Sequence, residues 1–353
     1  MMRNAGVKAA GYSLCVLTPM LAVLGIALGL PWLSPIVVFG VFPLLGLLIG
    51  EDRSSPLLNI ERKPALKMYL EMMPRLYAIV WMVTLWWGCG HAARTQLSTV
   101  DLAALIVSLG LASALAICTA HELLHRRCTY DILLARVMTT LCFYGHMLND
   151  HLHHHATVGT FEYGSTARPG TSVYRFAFSD YLTSFRNAWA VEAGRVKRCS
   201  LAWWRNQVSQ ACIAVAVCTG LFFIAWGPLG LIVLITQAAF AVFAFEVITY
   251  VHHYGLQRSD TEELGPHHAW AHHCWLTNCL TFNNTFHSDH HLRPRTPYYQ
   301  LHAMYAAPRL PASYFSMFWV ALVPPLWYRL IDPRLDALQR ARAADWLLTQ
   351  QCR

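Results

Sequence analysis

Apolar residues run along this chain in blocks too long to form one face of a soluble helix. They lie at about 12 to 30, 33 to 50, 75 to 90, 101 to 120, 208 to 227 and 229 to 251, and most approach the ~20 residues an α-helix needs to cross hydrocarbon. The pattern predicts an all-α membrane protein with six transmembrane helices. Two tight hairpins punctuate it, at Leu30, Pro31 and Trp32 and at Gly227, Pro228 and Leu229. No small-residue cleavage site follows the first block and a second block comes at once, so the first helix is expected to be retained. The aromatic stretch from Tyr314 to Leu330, interrupted by Pro324 and Pro325, is expected to lie along the interface.

The polar segments between the blocks set orientation. Arg53, Arg62, Lys63 and Lys67 follow the second block, and many Arg and Lys residues lie between Arg126 and Arg205. Lys and Arg favour the cytosolic side, so these segments, the N-terminus with Arg3 and Lys8, and the C-terminal segment are all expected there. The chain is read as a single membrane-embedded unit over 1–353, with a cytosolic His-rich domain built from 121–207 and 252–353, in a bacterial inner membrane. Composition agrees: 56% apolar and 13% charged residues with a mean hydropathy of +0.35 are far from soluble values. The net charge of +8 is not gathered in a long basic run, so nucleic acid is not an expected partner. Eleven scattered cysteines without a CxxC pair indicate neither a disulfide framework nor a zinc ribbon.

Histidine changes the picture. Of 18 histidines, all but His91 lie between His121 and His302, in boxes that follow or interrupt apolar runs. HELLH places His121 and His125 on one helix face, HLHHH offers His151, His154 and His155, and HSDHH repeats that spacing with His287, His290 and His291. One more ligand is expected from His252 or His253. Nine neutral imidazoles exceed what one tetrahedral zinc takes and suit a redox iron pair better. Glu122 and Asp289, inside the boxes, are candidates to hydrogen-bond the second ring nitrogen of a ligand, with Asp150, Glu162 and Glu246 as further candidates. HELLH alone also matches a zinc-peptidase signature with Glu122 as general base, but such a site has no use for the other boxes. A His-rich metal transporter would place its ligands at mid-membrane along a path, whereas these sit at the ends of the blocks.

HELLHR at 121–126, HHATVGTFEYGSTAR at 154–168, YVHHYGLQR at 250–258, PHHAW at 266–270 and NNTFHSDHH at 283–291 together resemble the integral-membrane alkane monooxygenases, within the membrane fatty-acid desaturase and hydroxylase superfamily. HYGL and HSDHH are specific to that family and its close relatives. The resemblance implies a non-haem diiron enzyme that uses O2 and two electrons to hydroxylate the terminal carbon of an alkane or related alkyl chain that enters from the bilayer, with membrane lipid around it. It implies as ligands His121, His125, His151, His154, His155, His253, His287, His290 and His291, with His253 preferred to His252 because it precedes Tyr254 and Gly255. It also implies a rubredoxin or ferredoxin-like electron donor with its reductase, which suits a basic cytosolic face. His91 and His302 are expected to have no metal role, and His267, His268, His272 and His273 to shape the pocket.

The chain departs from the family in places. Its second box has two residues where relatives tend to have three, Tyr163 and Gly164 stand at the family's Asp-Pro, and PHHAWAHHC is unusually rich in His. A fatty-acid desaturase or an alkene-forming fatty-acid decarboxylase of the same superfamily is the alternative reading.

Overall fold

Helices follow the apolar blocks but overrun them. The computed structural model describes residues 5–52, 57, 60–161, 165–259 and 262–351. Arg3, Arg53, Glu162, Tyr163 and Gly164 lie outside the described residues. Among the described residues the regular secondary structure is helical, with two isolated bridges as the only extended pairing. Helix α1 (Gly6–Ala27), α3 (Pro64–Arg94), α4 (Thr99–Leu124) and α8 (Gln207–His253) are long and apolar enough to cross a membrane, and α2 (Leu33–Ile49) is a shorter apolar helix.

Local chemistry sets the ends of these helices. Pro64 opens α3, where its missing N–H is harmless. The Ser98 hydroxyl caps α4 by accepting from the Asp101 N–H at 3.1 Å, and the Asn206 side chain caps α8 through the N–H groups of Val208 and Ser209. Helices α3 and α4 form an antiparallel pair: the Tyr77 hydroxyl donates to the Ala112 carbonyl at 2.6 Å and the Trp81 indole N–H to the Ser113 hydroxyl at 2.9 Å. Where α4 meets α8, a Cβ on Gly110 would lie 2.6 Å from Phe240, so only glycine allows this approach.

The 47-residue α8 is two helices. Gly227 breaks it with φ 64° and ψ −164°, and Pro228 has no N–H to carry the ladder across. Ala211 packs on Gly145, Trp226 packs on Gly90 at the far end of α3, and His252 returns to the other histidines. The chain therefore reverses at Gly227, as its hairpin signal predicts. The polar connections hold helices that hydropathy did not suggest, α5 (Thr129–Leu141), α6 (Met147–Thr157) and α7 (Val173–Arg198). Short helices α9 (Trp275–Leu280) and α10 (His287–Leu292) lead to α11 (Tyr314–Ala321) and α12 (Pro324–Gln351). Pro324 and Pro325 begin α12 rather than interrupt a helix, and Met317, Trp327 and Ile331 are fully buried against Tyr250 and Tyr254. One face of this stretch is thus part of the core, while Trp319, Val323 and Leu326 are exposed on the other.

One buried ion pair ties the N-terminal helix to the histidine-bearing loops. Lys8 Nζ lies 3.2 Å from Asp52 Oδ2, with both side chains about 1% exposed. Asp52 also accepts from Asn278 at 3.2 Å, and its N–H donates to the His273 carbonyl. Removing one partner of a buried pair strands the other charge in low dielectric. Asp52→Ala is expected to destabilise the protein by roughly 3 kcal/mol or more, while Lys8→Met with Asp52→Leu recovers most of the loss. Thermal unfolding of the two variants in detergent checks this.

Candidate metal centre

Four helix ends meet at one end of the bundle. His121 lies in the last turn of α4 and His125 just beyond it; α6 carries His151, His154 and His155; α8 ends at His252 and His253; α10 carries His287, His290 and His291. Their ligand nitrogens form two groups, each with every member within 4.8 Å of the others. One contains His121, His125, His151, His155 and His290, and the other His154, His253, His287 and His291. The nine histidines singled out in the sequence are thus brought together, five and four. Helices α6 and α10 each serve both groups, because residues i and i+4 lie on one face and i+3 is rotated from them.

The contacts inside each group show what the groups are fit to hold. Nε2 of His155 lies 2.8 Å from that of His151, 3.3 Å from that of His125 and 3.1 Å from that of His290. In the other group, Nε2 of His287 lies 3.1 Å from that of His253 and 3.0 Å from that of His291. A neutral imidazole has one N–H, so so many converging nitrogens cannot all be satisfied by one another. A shared cation satisfies them together, and ligands about 2.1 Å from a first-row ion sit at most about 4.2 Å apart, close to the spread seen here. The donor set therefore fits metal ions. His253 is also oriented for this, since its Nδ1–H donates to the His268 carbonyl at 3.1 Å and leaves Nε2 as the acceptor.

Burial keeps the rings neutral. It holds His125 down to about 3 and His155 down to about 4. His151, His287, His290 and His291 are also held well below the ordinary imidazole value, by burial first and by neighbouring rings second.

The carboxylates take other partners. Glu122 receives Arg126 at 3.3 Å, and Asp289 receives Arg293 at 2.6 Å and the His302 N–H at 3.0 Å. Each box carries an Arg four residues after its acid, and that Arg captures the carboxylate before a ligand ring does. Glu246 accepts from the Tyr144 hydroxyl. His252 belongs to neither group; its ring stacks on His287 with centroids 4.0 Å apart. His267 and His268 gather on Glu262 with Arg342. His268 Nδ1 accepts from the Gly265 N–H, so its proton sits on Nε2, the atom a third metal would require. His272 and His273 are outside both groups.

Two cavities adjoin the centre. An inner one of about 50 Å³ is lined by His121, His151 and His154 together with His253 and His287. An apolar one of about 90 Å³ is lined by Val38, Phe39, Leu111, Leu115, Phe315 and Phe318. They share Phe245, Ile248, His252 and Asn284. His252 was weighed in the sequence as a ligand, whereas Phe245, Ile248 and Asn284 were not singled out, because single apolar or amide side chains among apolar helices carry no distinguishing spacing.

Known proteins share these features. Residues 99–321 match the family model described as fatty acid desaturase. The chain is 32% identical to alkane 1-monooxygenase 1 of Alcanivorax borkumensis over 85% of its own length and 76% of that protein. It is 33% identical to alkane 1-monooxygenase 2 of Pseudomonas aeruginosa over 87% of its length and 84% of that protein. It is also 31% identical to the hydroxylase component of the xylene/toluene monooxygenase of Pseudomonas putida, over 69% of its length and 67% of that protein.

The depressed imidazoles carry a pH signature. Unfolded histidines titrate near 6.5, whereas His125 and His155 titrate at about 3 and 4, so below 6.5 the unfolded state binds more protons. Stability is full above about pH 6.5 and falls as pH drops toward about 4. Thermal unfolding of metal-stripped protein is expected to show a falling midpoint across that window, and a flat profile would contradict it.

Proposed function

Because this chain belongs to the alkane monooxygenases of the fatty acid desaturase family, we propose that it hydroxylates the terminal carbon of an alkane or related alkyl chain at a non-haem diiron centre, using O2 and two electrons. The observation that carries this reading is the convergence of nine neutral imidazoles beside an apolar cavity. His121, His125, His151, His155 and His290 would hold one iron, and His154, His253, His287 and His291 the other. The bound pair supplies the oxidising power to break an alkyl C–H bond, which amino-acid side chains lack.

The remaining work falls to the protein. Phe39, Leu111, Leu115 and Phe318 offer an alkyl chain an environment like the bilayer it leaves, so its transfer is nearly free of a hydrophobic penalty. Phe245, Ile248 and Asn284 mark where the apolar and inner cavities meet, and a chain end reaching that junction points its terminal carbon at the histidines. The same apolar walls exclude water from the reacting carbon. Electrons would have a separate approach: a cleft of about 300 Å³ beside His125 carries Arg75, Arg126, Arg127 and Arg295 together with Glu71, Glu122 and Asp131, and Arg75 and Arg126 are paired with Asp131 and Glu122. Arg127 and Arg295 leave its rim with a small positive excess, which suits an acidic one-electron carrier, a rubredoxin or ferredoxin-like protein with its reductase.

The topology that fits this chemistry has six crossings, formed by α1, α2, α3, α4 and the two arms of α8 at 207–226 and 228–253. The histidine end and both termini would face the cytosol of a bacterial inner membrane. Arg62, Lys63 and Lys67 at the start of α3, and Arg126 and Arg127 just after α4, support that side.

Product analysis tests the reaction. Under heavy O2, a labelled alkane is expected to give a primary alcohol carrying one heavy oxygen atom. An alkene from a labelled fatty acid, with no alcohol, would instead establish the desaturase or decarboxylase reading. Xylene belongs in the same assay, since the aromatic-methyl relative aligns over two thirds of this chain.

His253→Ala is expected to lose iron and turnover together. His252→Ala is expected to keep its iron, because its ring lies outside both groups. Iron content of the purified variants separates the two. For orientation, a reporter fused near Thr95 is expected to read as external and one near Arg198 as cytosolic.

A further inference from the structure

Hydroxylation with O2 consumes protons as well as electrons: R–H + O2 + 2 e⁻ + 2 H⁺ gives R–OH + H2O. A site walled by apolar side chains therefore needs a proton route, and this requirement rests on the hydroxylase reading above. A polar cleft of about 640 Å³, lined by Thr171, Ser172, Arg175 and Ser179, opens beside the N-terminal half of α7. It shares Ser165 and Asp180 with the inner cavity that touches both histidine groups. Ser165 and Asp180 are half-buried, standing between the polar cleft and the inner cavity.

The groups around Asp180 are arranged to hold a proton. Asp180 is within hydrogen-bonding reach of Ser165 and of Glu246 on α8. Glu246 is about 1% exposed and also accepts from the Tyr144 hydroxyl. Two carboxylates at that range cannot both be ionised, so one proton is retained between them. Burial pushes the Asp180 carboxyl up to about 6, within reach of release at neutral pH. Asp150 of α6 faces the same inner cavity, and its Oδ1 is buried without a hydrogen-bond partner. Among the described residues no Arg or Lys pairs with these carboxylates, unlike Glu122 and Asp289.

We propose that Asp180, sharing its proton with Glu246 and contacted from the cleft by Ser165, relays protons from the polar cleft to the cavity between the histidine groups. The proton passes from cleft water to the Asp180 carboxylate, and from the Asp180–Glu246 pair into the cavity, where it ends in the water formed from O2. Electrons come from the one-electron carrier, so the pair itself undergoes no redox change.

Two measurements on the full-length protein test this. Infrared spectra of metal-stripped protein moved into D2O are expected to show a protonated-carboxyl stretch that exchanges promptly in the wild type and at least about ten-fold more slowly in Asp180→Asn. Iron-loaded Asp180→Asn, supplied with its electron donor, is expected to turn over at least about ten-fold more slowly with unchanged iron content and a larger solvent isotope effect, and Asp180→Glu is expected to restore the rate. If Asp180→Asn does not fold, Ser165→Met keeps both carboxylates, removes the Ser165 hydroxyl from Asp180 and narrows the opening, and is expected to slow both processes. Equal exchange rates, or wild-type turnover and isotope effect in a folded variant, would overturn the relay. A wild type that hydroxylates no alkane would defeat the hydroxylase reading instead, while the exchange measurement still decides the proton path.

Discussion

The fold is organised around imidazole lone pairs that must remain unprotonated inside protein. Nine rings meet within two small volumes, where one proton too many would set positive charges against one another a few ångströms apart. Burial lowers the proton affinity of each ring and so leaves its lone pair available to a cation. Much of the surrounding structure serves that burial. Tyr254, directly after His253, is fully buried; its hydroxyl receives the Gly170 N–H and donates to Asp332, and its carbonyl accepts from the Trp270 indole. The Trp270 N–H in turn donates to the His252 carbonyl. Loop, helix end and C-terminal helix are thereby fastened directly behind the second histidine group.

How far this could be read from the sequence follows the periodicity of each element. The apolar blocks and the boxes were legible, since long hydrophobic runs and i, i+3, i+4 spacings have few alternative structures. The division of ligands was not, because α6 and α10 contribute to both groups and neither box belongs to one metal position. Glu122 and Asp289 were misleading for a simple reason: proximity to ligands in sequence suggested contact with them, while Arg126 and Arg293 at i+4 offered a closer ionic partner. Helices α5, α7 and α12 were hidden by mixed polarity and, for α12, by a proline pair that begins the helix instead of ending one. The cavity residues Phe245, Ile248 and Asn284 come from segments far apart in the chain, and only the packed bundle brings them together.

The centre separates its reactants by polarity. The apolar cavity approaches from α2, α4 and α11, and the polar cleft approaches from the loop before α7. The Arg-lined cleft reaches His125 from the α3–α5 side. On the proposed function, a hydrocarbon, water and an electron carrier would each meet a different one of these surfaces. The four residues shared by the inner and apolar cavities are the narrow place where these environments touch, with His252 stacked on His287 as part of the wall.

The way α6 and α10 divide their histidines has a consequence for biogenesis. Both groups draw a member from α10, so neither is complete until residues 287–291 have left the ribosome. At about 5–20 residues per second, His125 waits on the order of ten seconds or more for His290. During that interval each of the early boxes has an incomplete ligand set. Completion of the two ligand sets is thus a late event of synthesis, reached when the last short helix docks.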